Sequence, residues 1–349
     1  ASLVAIDPIL VQQSTWVMTE TLATTLAIAV IWYWSAQNEL PLGRTCVLGL
    51  LLSLAYLCRP TFLVWAAMIC GATWWVKRPA APVPDSGPAA SDQPLAVLRN
   101  PSLKPRSLTD RLGTGVLVST NVLATVALWS WRNARVMGHP IWATTHGGYT
   151  LLLGNNPLFY DYLRSGAIAS AWDPEPFLVA YSYRYQGDPN SDAFWLKERN
   201  SPANSLPQVS EHEDDRVSYE AARATIDREP AMFLWSSGVR LARLWTPLPH
   251  RTADRSWLAV GVIGGYYGLF YMAMSIGVWR IGRRLLAGPW WPILTLVITL
   301  SIVHSVYWSN IRMRAPIVPG LAIIAAAGVG RRRPLPTADD TPCGTPYRD

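Results

Sequence analysis

The chain has 349 residues, half of them hydrophobic, with only 15% charged and a mean hydropathy of +0.15. A soluble domain carries about 25% charged residues, so this deficit, together with 18 tryptophans, excludes an ordinary soluble protein and points to a membrane. The net charge of +7 raises nucleic-acid binding, but Lys and Arg gather beside apolar runs and not along one polar helix face, which excludes that partner.

In chain order, the opening ASLVAIDP has neither Met nor a basic segment before an apolar core. It reads as neither an ordinary start nor a signal peptide, and the true N-terminus is expected upstream. Asp7-Pro8 is a helix-start signal. Seven apolar runs follow with enough length to cross hydrocarbon as helices: 15–35, 43–58, 61–76, 115–131, 257–279, 290–308 and 315–330. Arg59-Pro60 separates the second from the third, and proline cannot continue a helix, so two antiparallel helices with a tight turn are expected there.

Loop charge sets the orientation. The segments 37–41, 77–112, 280–289 and 331–349, with Arg44, hold fourteen Lys/Arg against seven acids and are expected to be cytoplasmic. The stretch 132–256 holds thirteen basic and fourteen acidic residues and falls on the opposite side. The predicted organisation is three helices in 1–76, a Pro/Ala/Ser/Gly-rich disordered cytoplasmic linker in 77–114 and a helix in 115–131. An extracytoplasmic domain in 132–256, three helices in 257–330 and a cytoplasmic tail in 331–349 complete it. The outer stretch is too long for an idle connection and carries many aromatics, so it is expected to fold. Its end, 217–245, has apolar residues at helical spacing with Arg240 and Arg243 near Trp245, which reads as one amphipathic interfacial helix. Cys46, Cys58, Cys70 and Cys343 show no metal or disulfide spacing, and no metal ligands are assigned.

Ionisable groups in or beside spans are costly and so are candidate site residues. Glu20 near the outer end of the first run is either a Ser/Thr-bonded or snorkelling carboxylate, or one facing a cavity. Arg59 is either an interfacial anchor or the holder of an anionic headgroup. Arg312 and Arg314, two residues apart, break the charge bias of their side; with His304 they either clamp a lipid phosphate or anchor to headgroups. The string THGGYTLLLGNNP, 145–157, is expected to be a shaped turn, because Gly and Asn tolerate positive φ. Its role is either architectural, or Asn155, Asn156 and His146 hydrogen-bond sugar hydroxyls.

Four segments then carry a resemblance: Pro8 with Thr19-Glu20, LAYLCRPTFL (54–63), WRNARVMGHPIWATTHGGYTLLLGNNP (131–157) and the H-x(7)-R-x-R-x-P-x-x-P pattern of 304–319. In this order they resemble the C-terminal two-thirds of a GT-C superfamily membrane glycosyltransferase, related to protein O-mannosyltransferases and the lipid A aminoarabinose transferase. The resemblance covers residues 1 to about 330. It implies an all-α polytopic protein, multi-pass in a bacterial inner membrane. The implied activity is inverting transfer of a sugar from a polyprenyl-phosphate-sugar donor to a lipid, glycan or protein acceptor at the extracytoplasmic face.

It further implies that the catalytic acidic residue lies upstream of this chain. Charge and topology, not the resemblance, then assign donor phosphate binding to Arg312 and Arg314, with Arg59 and His304 as second candidates and Glu20 in support. Some relatives use a divalent metal ion, and no ligand set for one is legible here. A lipid-linked glycan flippase or transporter and an inactive truncated remnant are the alternatives; the long outer stretch argues against a transporter.

Overall fold

The computed structural model describes residues 2–14, 19–37, 41–75, 108–166, 170–205, 207–249 and 256–329. Among these residues the protein is all helical, without strands. Two short helices, α1 (Ser2–Ala5) and α2 (Pro8–Ser14), precede the long α3 (Thr19–Ala36). Asp7 starts α2, its Oδ1 accepting from the N–H groups of Ile9 (3.0 Å) and Leu10 (2.9 Å), as the Asp-Pro signal predicts.

Helix α4 (Leu42–Cys58) stops at Arg59, whose backbone is extended, and α5 (Phe62–Trp75) begins two residues after Pro60. The expected pair of helices with a tight turn is thus present, because proline forces its predecessor out of the helical region. Helix α6 (Leu108–Met137) starts seven residues before the predicted run and ends six after it. Residues 108–114 are therefore helical and not part of a disordered linker; the rest of that linker, 77–107, and the tail 331–349 lie outside the described residues, as do residues 76 and 330.

A bundle of six small helices follows. These are α7 (Gly147–Gly154), α8 (Pro157–Arg164), α9 (Glu175–Ser182), α10 (Asp192–Leu196), α11 (Glu211–Arg228) and α12 (Pro230–Trp245). They make a domain with its own aromatic core, in which Phe177 and Trp195 stack at 5.5 Å. The single helix expected over 217–245 is two helices, broken where Pro230 starts α12 and deprives the chain of a backbone donor. Arg240 and Arg243 are buried in the domain and do not face a headgroup layer, while Leu234 and Trp235 of the same helix are exposed.

Helices α13 (Trp257–Ile281), α14 (Trp291–Val306) and α15 (Val318–Val329) close the chain, with a 3₁₀ segment, Ile311–Ile317, between the last two. Four stretches are long and apolar enough to cross a membrane: Leu112–Met137, Trp257–Leu286, Gly288–Val306 and Ile311–Val329. Leu42–Cys58 and Phe62–Thr73 are apolar but shorter. Small residues let the backbones approach: Gly277 faces the carbonyl of Ile324, and Gly328 that of Ala273, so α13 and α15 pack with no room for a Cβ. The indole N–H groups of Trp34 and Trp65 donate to the carbonyls of Gly288 (2.7 Å) and Pro292 (3.0 Å), tying α3 and α5 to the start of α14. The outward faces of α6 and α13 expose large apolar side chains such as Leu123, Leu258 and Trp279, as a hydrocarbon environment favours.

Candidate functional site

The ends of α4, α6 and α14 nearest the small-helix domain enclose, together with α7 and α11, a cavity of about 890 Å³. Its wall combines Arg59 and Thr61 from the α4–α5 turn, Trp129 and Arg132 from α6, and Trp142, Thr145 and His146 from the following loop. Glu211 and Tyr219 of α11, His304 of α14, and Tyr307 and Trp308 complete it.

Arg59 is a cation of that wall with a buried carboxylate partner. Its Nη2 lies 2.9 Å from Glu20 Oε1, and its Nε donates to the Thr19 hydroxyl at 3.4 Å. Glu20 is 3% exposed in the first turn of α3, and the same oxygen lies 3.6 Å from Arg312 Nε. One carboxylate thus holds two arginines, leaving the group one net positive charge, and the Arg59 side chain is part of the cavity wall. Burial in a low-dielectric setting makes that surplus cation more effective than a surface one.

His304 is buried but borders the same space. Its Nδ1 contacts the Trp308 carbonyl at 3.3 Å, and its Nε2 has no hydrogen-bond partner. The Thr61 hydroxyl, also on the wall, lacks one as well.

The structure separates the Arg312/Arg314 pair. A 3₁₀ helix has about three residues per turn, so positions i and i+2 point about 120° apart. Arg312 turns to Glu20, whereas Arg314 turns into the helices. Arg314 Nη1 donates to the carbonyls of Leu244 (3.1 Å) and Thr246 (2.7 Å) and to the Tyr271 hydroxyl (2.7 Å), and its guanidinium lies 4.0 Å from the Tyr267 ring centre. Tyr267 donates in turn to Asp7 at 2.9 and 3.0 Å. Arg314 therefore satisfies the carbonyl end of α12 through Nη1, while its Nε and Nη2 are buried without a partner; at 1% exposure and off the cavity wall it leaves the phosphate-binding set.

Asn155 and Asn156 are corrected in the same way, since both are fully buried. No non-glycine residue among those described has positive φ, and the expected shaped turn is a two-residue break between α7 and α8. Asn156 caps α8 by accepting from Phe159 N–H at 2.8 Å, with Pro157 at the first helical position. Asn155 donates to the carbonyls of Leu151 (2.8 Å) and Val306 (3.1 Å) and accepts from the Tyr160 hydroxyl (3.2 Å) and Arg240 (3.1 Å).

Arg240 binds the Gly154 carbonyl too, and its Nε donates to the Ser305 carbonyl at 2.9 Å. Burial pulls its guanidinium down to about 10, which still leaves it charged at neutral pH. The amides and Arg240 thus lock the domain to the end of α14, where hydroxyls of a ligand cannot reach them.

Glycines 147 and 148 have a packing reason. Gly148 lies against the Asp215 carbonyl and Gly147 against the Tyr219 ring, so α7 rests on α11 at backbone distance. The Gly148 N–H donates to Asp215 Oδ1 at 2.6 Å; burial raises the Asp215 carboxyl and this bond partly offsets it. His146, at the N-cap position of α7, does line the cavity, with its ring 4.9 Å from Tyr149.

Sequence reasoning missed Arg132, Glu211 and the aromatic wall. Trp142 sits within the segment that carries the resemblance, but one Trp among 18 in an apolar chain reads first as an interface anchor. Among the described residues no group of three His, Cys, Asp or Glu side chains is placed to hold a metal ion.

No protein-family model matches the sequence, and neither characterised proteins nor solved structures give a match.

Proposed function

We propose that this chain is part of an inverting, polyprenyl-phosphate-sugar-dependent glycosyltransferase of the GT-C type. In this reading it has seven spans in a bacterial inner membrane and works at the extracytoplasmic face. The observation that carries the reading is the Glu20-braced Arg59 on the wall of an aromatic-lined cavity, where the helices meet the domain. A lipid phosphate fits that geometry, since its chain can lie along exposed apolar helix faces while its charged group reaches Arg59.

The chemistry follows from charge. A polyprenyl phosphate sugar is a phosphodiester with one negative charge; attack by an acceptor hydroxyl oxygen on the anomeric carbon breaks the bond from that carbon to the phosphate oxygen, and the hydroxyl proton passes to the catalytic carboxylate that this reading places upstream of the chain. The leaving polyprenyl phosphate carries about one charge more than the donor. Arg59, with Arg312 behind Glu20, therefore binds the departing phosphate more strongly than the donor, and such differential binding lowers the barrier. Tryptophan and tyrosine faces suit sugar rings, and Glu211, Thr145 and His146 offer hydrogen bonds to hydroxyls. Glu20 is a positioning residue, since it acts through Arg59. A transporter would hold its substrate near the middle of its spans, and this cavity lies at helix ends instead.

The test is sugar transfer from a polyprenyl phosphate sugar in membranes carrying the full-length protein. Arg59→Ala is expected to lower turnover by about a hundredfold or more, the scale of losing one preorganised charge partner of the transition state. Unchanged turnover in a folded Arg59→Ala protein overturns the proposal.

A further inference from the structure

We infer that His304 is the sugar-reading residue of the cavity: its Nε2 accepts a hydrogen bond from a hydroxyl of the sugar carried by the bound lipid phosphate. This deepens the glycosyltransferase reading and rests on it.

A carbonyl oxygen only accepts, so the 3.3 Å contact of His304 Nδ1 with the Trp308 carbonyl requires the proton on Nδ1. In the neutral ring the other nitrogen then presents a lone pair. Trp308 is well placed to enforce this, because its own N–H donates to the Thr150 carbonyl at 3.1 Å and its ring packs on Phe159 at 5.4 Å and Trp172 at 5.5 Å.

Nε2 is buried with no partner, on a side chain 6% exposed that borders the cavity, and a buried polar atom left unpaired costs free energy until something fills it. The filler must donate a hydrogen. Phosphate oxygens in a diester only accept, so the lone pair repels them. In a polyprenyl phosphate sugar the donors are on the sugar, the nearest hydroxyl being on the carbon next to the anomeric carbon, close to the phosphate that Arg59 holds. His304 therefore departs from the phosphate-binding role expected from its sequence position, and it discriminates the sugar-bearing lipid from the spent one. That distinction has a use: the product polyprenyl phosphate lacks the hydroxyls and loses this contact on release. The unpaired Thr61 hydroxyl on the same wall offers a second polar contact beside it.

His304→Asn isolates the contact, since the shorter amide keeps a donor for the Trp308 carbonyl and removes the acceptor at the Nε2 position. Binding of a polyprenyl phosphate and of its glucose, mannose and galactose forms is measured on the purified full-length protein, with wild type and Arg59→Ala alongside. Wild type is expected to prefer at least one sugar form. His304→Asn should bind that form roughly tenfold more weakly and plain polyprenyl phosphate as wild type does, whereas Arg59→Ala should weaken both. Equal loss of both ligands in His304→Asn, or no loss of either, overturns the inference while leaving the glycosyltransferase reading intact. Wild type that binds neither lipid overturns that reading instead. If His304→Asn melts early, His304→Gln, which returns an acceptor oxygen near Nε2, carries the same comparison and should restore the sugar preference; its failure to do so in a folded protein also overturns the inference.

Discussion

Two arginines, Arg59 and Arg240, sit where the long helices meet the domain, and they are satisfied in opposite ways. Arg240 is wrapped by carbonyls of Gly154 and Ser305 and by the Asn155 amide oxygen, all neutral and all internal. Arg59 has a carboxylate partner, and its side chain stays 16% exposed on a cavity wall. The first arrangement is fully buried and out of a ligand's reach. The second leaves one net charge and open space. What separates a structural cation from a binding one here is therefore access to the cavity, which Arg59 borders and the fully buried Arg240 does not.

Substitutions break the comparison at different points. The largest effect on stability is expected for Arg240→Ala, which strips several buried acceptors at once; a loss of about 3 kcal/mol follows, read as a lowered melting temperature in detergent. At equal folded concentration, lipid phosphate binding should not change, in contrast to Arg59→Ala. Gly148→Ala tests the seam from the other side. A Cβ there meets the Asp215 carbonyl, a backbone atom that cannot swing away, so α7 and α11 must separate at a cost of about 1–3 kcal/mol. An unchanged melting temperature would show that the backbones do not approach so closely.

Asp214→Asn should give the smallest effect, and its sign depends on pH. Burial alone would raise the Asp214 carboxyl, but hydrogen bonds from Arg184 and Tyr185 outweigh it and hold it below the ordinary 3.8. A depressed folded value means stability that is present above the unfolded value and is lost as pH falls through the folded one. Wild type should therefore melt above Asp214→Asn at neutral pH, with the gap closing in acid below about pH 4. A constant gap from pH 7 to pH 2 would exclude the ion pair as its source.

Much of the helix plan could be read from residue patterns. Pro60 ends α4, Ser256 caps α13 by accepting from the Ala259 N–H at 3.2 Å, and apolar runs mark the long helices. The break before Pro230 was legible too, but continuous helical spacing on both sides of it masked the signal.

Side-chain destinations were harder. Arg312 and Arg314 look alike in a string, and only a 3₁₀ segment sends one to Glu20 and the other to Tyr271. Asn155 reads equally well as a sugar ligand or as a buried tie, because an amide serves both, and its partner Val306 lies 151 residues away. Glu20 and Arg59 were each identifiable as costly charges, yet nothing local indicates that they pair.

That last separation bears on how the protein is made. Asn155 and Arg240 fasten the domain to the end of α14, and Trp308 N–H closes the same joint onto Thr150. Both Asn155 and Thr150 leave the ribosome long before their partners exist. At roughly 5–20 residues per second the lag for about 150 residues is about 8–30 s. During that interval the nascent domain lacks Tyr307 and Trp308 from its aromatic packing as well as its last fastenings, and the cavity wall is missing His304. Completion must wait for α14 to insert, so a chain stopped before that helix should be open to proteases in α7 and α8.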